Sequence, residues 1–116
     1  MAETSIWLAG NLTDDPELRY STGGTARATF RVAVSSRVRD GEGWRDGEPA
    51  FYAVVVWRDQ AEHAAESLRK GSRVVVVGRL AQRSWQAEDS AARSAVEVVA
   101  EELGPSLRWA TARSQD

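Results

Sequence analysis

PAFYAVVVWRDQAEHAAESLRKGSRVVVVGRLAQRSW, residues 49–85, is the stretch that decides the fold. Its first ten residues place Phe51, Ala53, Val55 and Trp57 on one side and Tyr52, Val54 and Val56 on the other, the period of two that makes a strand. One set faces a core and the other does not. Asp59 to Lys70 then predicts a helix, with Asp59 as N-cap, Glu62 three residues on as in a capping box, and Gly71 as the stop. Ala61, Ala64, Ala65 and Leu68 recur at helical spacing and give a narrow apolar stripe suited to plugging one end of a barrel. Residues 72–85 return to strand, with Gly78 expected at a bend or bulge.

Upstream, residues 5–12 read as a strand and Thr13 to Pro16 as a turn. Leu18 to Ser21 predicts a short strand before a hairpin turn at Gly23-Gly24. Residues 25–36 alternate: Ala26, Ala28, Phe30, Val32 and Val34 on one face, Arg27, Thr29, Arg31, Ala33 and Ser35 on the other. That is a half-buried strand with an arginine-bearing outer face. Arg37 to Gly47 is expected as a polar hairpin tip around Trp44. Downstream come a second tip, Gln86 to Arg93, and a strand over 94–103. The result is all-β, with five principal strands and one helix between the third and fourth, the element order of the OB-fold, a five-stranded Greek-key barrel. A chain of 116 residues supports one core of this size, read here as a domain over 1–112 and a short polar tail over 113–116.

Net charge is −2, which on its face argues against a nucleic-acid partner. The distribution reverses that reading. Arg19, Arg27, Arg31, Arg37 and Arg39 fall in one acid-free stretch, and Arg69, Lys70, Arg73, Arg79 and Arg83 in another. Ten of the fifteen cations thus lie where they can build local positive surfaces, including the candidate phosphate contacts Arg31 and Arg73. Solvated strand faces would give the same pattern. Fourteen of the fifteen are arginine, whose planar guanidinium holds phosphates bidentately and stacks on bases.

Enzyme chemistry finds little footing. No cysteine is present, His63 has no ligand set at helical spacing, and Asp14-Asp15 before Pro16 reads as turn chemistry rather than a carboxylate pair. No metal site, cofactor or Gly-rich phosphate loop is expected. With neither a membrane-length apolar run nor a charged-then-apolar leader, the expectation is a cytoplasmic, nucleoid-associated chain. The aromatics say more. Five tryptophans are a high load for a small barrel, and Trp44 and Trp85 fall at hairpins, away from any core. Such rings either cap the barrel and fill subunit contacts, or stack on bases beside Arg-rich strands, as sequence-tolerant single-strand binding requires. Trp7 and Tyr52 alternate away from their apolar neighbours and are expected on surfaces that another subunit covers.

The blocks GNLTDDPELRY (10–20), WR (57–58), AESLRKGS (65–72) and GRLAQRSW (78–85), in that order and spacing, resemble the bacterial single-stranded-DNA-binding protein family. Residues 104–111, GPSLRWAT, resemble the end of that domain in its actinobacterial branch. The resemblance implies an OB-fold, a homotetramer built as a dimer of dimers, and protection of single strands in replication, recombination and repair. It also maps stacking rings onto Phe51, Trp57 and Trp85, and basic contacts onto Arg19, Lys70 and Arg83. The chain departs from the family at Val38, where a stacking tryptophan is common, with Trp44 the candidate to replace that ring. Ala53 stands where an arginine is frequent and Asp59 where a lysine is. A Gly/Pro-rich linker and acidic tip are not among these residues, so recruitment through such a tail is not expected, whether the chain is truncated or a tail-less paralog. The alternative reading is an OB-fold protein-interaction module of a replication or recombination complex that touches nucleic acid weakly.

Overall fold

The structure, a computed structural model, describes residues 4–35 and 37–114, with residues 37–40 described by their backbone alone. In chain order the elements are β1 (Ser5–Leu12), β2 (Glu17–Tyr20), β3 (Ala26–Val34), β4 (Arg37–Asp40), β5 (Gly43–Asp46), β6 (Ala50–Trp57), α1 (Arg58–Ser67), β7 (Arg73–Gln86) and β8 (Ala92–Pro105). The principal strands pair in the order β1-β7-β8-β6-β3, and β3 returns to β1 through Asn11↔Ala33 and Leu12↔Val32. The circuit is therefore closed. Every pairing in it is antiparallel except β6 with β8, which runs parallel through Val54↔Val98 and Val55↔Val99. This is the expected OB architecture, with the helix between the third and fourth principal strands. β2 lies outside β3, and β4 and β5 form a ribbon of their own, so the expected polar tip around Trp44 is itself a hairpin.

Closure sends one side chain of each alternating pair inward. Ala28, Val32, Val54, Val56, Val74 and Val76 have no exposed surface, and Leu8, Leu12, Phe30 and Val98 complete the same core. Each valine-to-phenylalanine-sized side chain so buried contributes about 1.5–3 kcal/mol. Ala61 and Ala64 of α1 and its C-cap Leu68 join that core, three of the four residues in the stripe the sequence predicts, while Ala65 is only partly buried. Small alanines let the helix axis approach closely.

The helix ends differ from expectation. Trp57 takes the N-cap position with no side-chain cap bond, because β6 stays paired through Arg27↔Trp57 and leads straight into α1. Arg58 absorbs the change of direction at φ 65°. Asp59 falls inside the first turn, where its charge favours the helix dipole without capping it. Glu62 does not close a capping box; it accepts a hydrogen bond from the Tyr20 hydroxyl at 2.9 Å, tying α1 to β2. At the other end α1 stops at Ser67 rather than Lys70, since Leu68 turns into the core with extended backbone, its N–H still donating to the Ala64 carbonyl at 2.9 Å. Gly71 (φ 90°) serves the following turn instead, and its N–H donates to the Leu12 carbonyl.

Two further differences follow from tertiary packing. Tyr52 packs against the core rather than facing a partner, because the inward set of β6 is Tyr52, Val54 and Val56. β8 runs longer than predicted, pairing with β7 out to Gln86↔Ala92, so the second tip shrinks to a tight turn over Ala87–Ala91. The bulge expected at Gly78 is present as a register shift between Val77 and Gly78. A Cβ at Gly78 would overlap the Val99 carbonyl, whereas one at Gly43 would meet open space. Gly78→Ala should therefore lower stability by roughly 1–3 kcal/mol, and Gly43→Ala by less than about 0.5 kcal/mol, in urea unfolding.

Candidate nucleic-acid interface

The strand register aligns the outward residues of four neighbouring strands into one face. Arg27 of β3 stands opposite Trp57 of β6, Thr29 opposite Val55, Arg31 opposite Ala53 and Ala33 opposite Phe51. Val55 stands beside Val99 of β8, and β7 continues the face with Arg79, Ala81, Arg83 and Trp85 against Val99, Glu97, Ala95 and Arg93. Phe51 is 55% exposed, and Trp57 and Trp85 are 41% exposed each. Closure of the barrel leaves no room for these rings inside, where valines already fill the space. They stand out to solvent half covered.

What half covers two of them is arginine. The Arg27 guanidinium lies 5.6 Å from the Trp57 ring centre, and that of Arg83 lies 4.7 Å from Trp85. Both distances are within the range of cation–π attraction. Glu97 links the two sites: its Oε2 lies 3.9 Å from Arg27 Nη2 and 3.4 Å from Arg83 Nε. Arg27 is on β3 and Glu97 on β8, with β6 between them, so this pair spans β6. Val55 faces outward on β6 yet is 2% exposed, which fits a residue roofed by that bridge. The face thus carries a continuous belt, Trp57–Arg27–Glu97–Arg83–Trp85.

The other sequence-predicted contacts are not all gathered here. Arg31 is exposed on the same face. Arg19 of β2 stands opposite Arg27, with its guanidinium paired to Glu17. Trp44 is 60% exposed on β5, on the separate ribbon that joins β3 to β6. The side chain of Val38, the position it was expected to replace, lies outside the described residues. Lys70 sits in the turn after α1, and its backbone N–H donates to Asp15 Oδ1 at 2.7 Å. That bond ties the segment before β2 to the turn after α1. Arg73 begins β7, ten residues from Arg83 and about 33 Å along the strand. Its guanidinium lies 4.5 Å from the Trp109 ring centre, and its Nη1 donates to Asn11 Oδ1 at 3.4 Å. Lys70 and Arg73 therefore belong to the opposite end of the barrel, lining an open cavity with Ser106 and Trp109.

Sequence reasoning set Arg27 on the outer face of its strand and Arg79 in a cationic stretch but named neither as a contact, and it missed Glu97. Arg27 had a signal, since it shares the period-two outer face with Arg31. Glu97 had none, because its place depends on the pairing of β8 with both β6 and β7. Among the described residues no group of three or more His, Cys, Asp or Glu side chains is placed to hold a metal ion. No helix among them is long and apolar enough to cross a membrane.

Residues 3–106 match the single-strand binding protein family. The chain belongs to that family. It is 50% identical over 113 residues to the single-stranded DNA-binding protein of Mycolicibacterium smegmatis, an alignment covering 96% of this chain and 68% of the relative. It is 49% identical to that of Mycobacterium tuberculosis strain H37Rv, covering 96% and 69%. The crystal structure of the small single-stranded DNA-binding protein from Streptomyces coelicolor superposes with a TM-score of 0.76 at 36% identity, covering 92% of this chain and 97% of that one. All three relatives are actinobacterial, as the resemblance of the sequence implies.

Because the outward rings Phe51, Trp57 and Trp85 fill no core space, their truncation leaves no cavity. Trp85→Ala is expected to change stability by less than about 1 kcal/mol, while Phe30→Ala in the core costs about 3–5 kcal/mol. Denaturant unfolding of the two variants checks this.

Proposed function

We propose that this chain binds and protects single-stranded DNA with little sequence preference, as a non-enzymatic component of replication, recombination or repair in the bacterial cytoplasm. The observation that carries the reading is the outward belt in which two half-exposed tryptophans each lie beneath a guanidinium on one continuous strand face. Bases stack on such rings whatever their identity, for about 1–3 kcal/mol per base, while the guanidiniums attract the phosphates between them. Phe51, Trp57 and Trp85 are the stacking platforms, and Arg27, Arg31 and Arg83 the nearest phosphate contacts. Arg19 adjoins them through its register with Arg27. Lys70 and Arg73 serve a strand that continues around the barrel. Trp44 offers a further ring at the Phe51 end, on the separate β4–β5 ribbon. Duplex reading is disfavoured by charge, since the only helix among the described residues carries Asp59, Glu62 and Glu66 and suits no groove.

The domain extends to residue 112 in this reading, because Trp109 to Ala112 line the cavity around Arg73. Assembly as a homotetramer, a dimer of dimers, is supported by a second exposed surface. Trp7 (74% exposed) stands directly opposite Val77 (48%), with Val75 (39%) two residues along the same outer face. Contiguous apolar surface of this kind marks a protein contact.

Intrinsic tryptophan fluorescence tests the binding. Poly(dT) should quench it strongly, and affinity should fall with salt at a log–log slope of about −3 to −4 per subunit, from roughly −0.7 for each of about five phosphates. Trp57→Ala and Trp85→Ala should each weaken binding by about 1–3 kcal/mol, and Trp44→Ala by less. Absence of quenching at low salt would instead favour a protein-interaction module. For assembly, light scattering should give a tetramer for the parent and a smaller species for Val77→Glu; a parent that runs as a monomer removes the oligomer.

A further inference from the structure

β3, β6 and β7 contain no Asp or Glu, so the acid reaching into the belt comes from β8 alone, and it is Glu97. A solvated carboxylate would turn away from a surface meant for a polyanion. This one does not. Its side chain is 13% exposed, against 31% for Arg27 and 52% for Arg83, and it sits between their guanidiniums. That is the position a bridging phosphate would take. The contacts, 3.4 and 3.9 Å, are longer than the roughly 2.7–2.9 Å of a tight charge-assisted hydrogen bond. A permanent clamp would be short and bidentate. Here the attraction is Coulombic.

We propose that Glu97 is an internal counterion that occupies the phosphate position of the belt in the free protein and is displaced from Arg27 and Arg83 when a strand arrives. The inference rests on the single-strand-binding reading above and gives it a control element. Glu97 holds both arginines over their rings while no ligand is present, so the stacking surface is arranged in advance. The same carboxylate competes with the phosphate for as long as the strand is bound. It therefore lowers affinity and speeds release, which suits a coating protein that must be cleared from the strand.

The test is Glu97→Gln, which removes the charge and keeps the shape, titrated with oligo(dT) over a salt series beside the parent and Glu97→Asp. Removing one carboxylate lets the belt neutralise about one more phosphate charge. The expected result is a salt slope steeper by roughly 0.7 and an affinity at low salt about fivefold higher, the scale of a partly covered ion pair at the protein surface. Glu97→Asp keeps the charge and should keep the parent's slope. Glu97→Ala, equally neutral, answers the same question if the amide disturbs folding as judged by circular dichroism. Neutral variants that bind like the parent, or more weakly with unchanged melting, overturn the counterion role. So does a slope that steepens equally for Glu97→Asp. In each of those outcomes the parent still binds; a parent that leaves oligo(dT) unbound fails the binding reading itself.

Discussion

At its C-terminal end β1, still paired with β7 at Asn11↔Arg73, also pairs with β3 through Asn11 and Leu12, and this short second pairing closes the sheet on itself. The approach is close. A Cβ on Gly10 would overlap the Ala33 carbonyl and crowd Val32, so the backbones come together at the residue with no side chain. Nearby contacts hold the join from the other side: the Leu12 carbonyl accepts from the Gly71 N–H, the Leu12 N–H donates to the Ser72 carbonyl, and Asn11 Nδ2 donates to the Gly71 carbonyl at 3.0 Å. An open sheet of the same strands would leave an edge of unpaired backbone groups.

Closure determines what every other residue can do. It divides each strand into an inner set, small and aliphatic because the barrel is narrow, and an outer set free to carry function. Val54 and Val56 fill the interior while Phe51 and Trp57, one residue away in each case from an inward side chain, are turned to solvent. The rigidity of the inner set is what lets the outer rings keep fixed positions. It also aligns β3, β6, β8 and β7 so that residues far apart in the chain, Arg27, Glu97 and Arg83, come within reach of one another.

Charge shows the same division of labour. The net charge of −2 says nothing of how the protein meets a polyanion, because local fields act over about a Debye length of 8–10 Å. Within that distance the belt presents two guanidiniums against one carboxylate. Most of the other acids among the described residues lie on α1, on turns and loops, and at Glu101 and Glu102 of β8. The two ends of β7 are separate stations: Arg83 with Trp85 at one, Arg73 with Trp109 at the other.

By itself the sequence determined the strands, the helix and their order, since period-two and helical spacing are local properties that the solvent boundary enforces residue by residue. It determined that Phe30 and Val32 go inside and Arg27 and Arg31 outside, and that Gly78 marks a bulge. The helix ends were not legible, because the N-cap depends on how long β6 remains paired and the C-terminus on where Leu68 finds the core. Nor was the choice of face for Tyr52, as both sides of β6 are apolar. The family blocks pointed to Trp57 and Trp85. Only the tertiary structure placed each under an arginine, brought Glu97 between them and sent Lys70 and Arg73 to the other end. Those relations are set by cross-strand register and barrel closure, which join residues dozens of positions apart and leave no periodic trace in the chain.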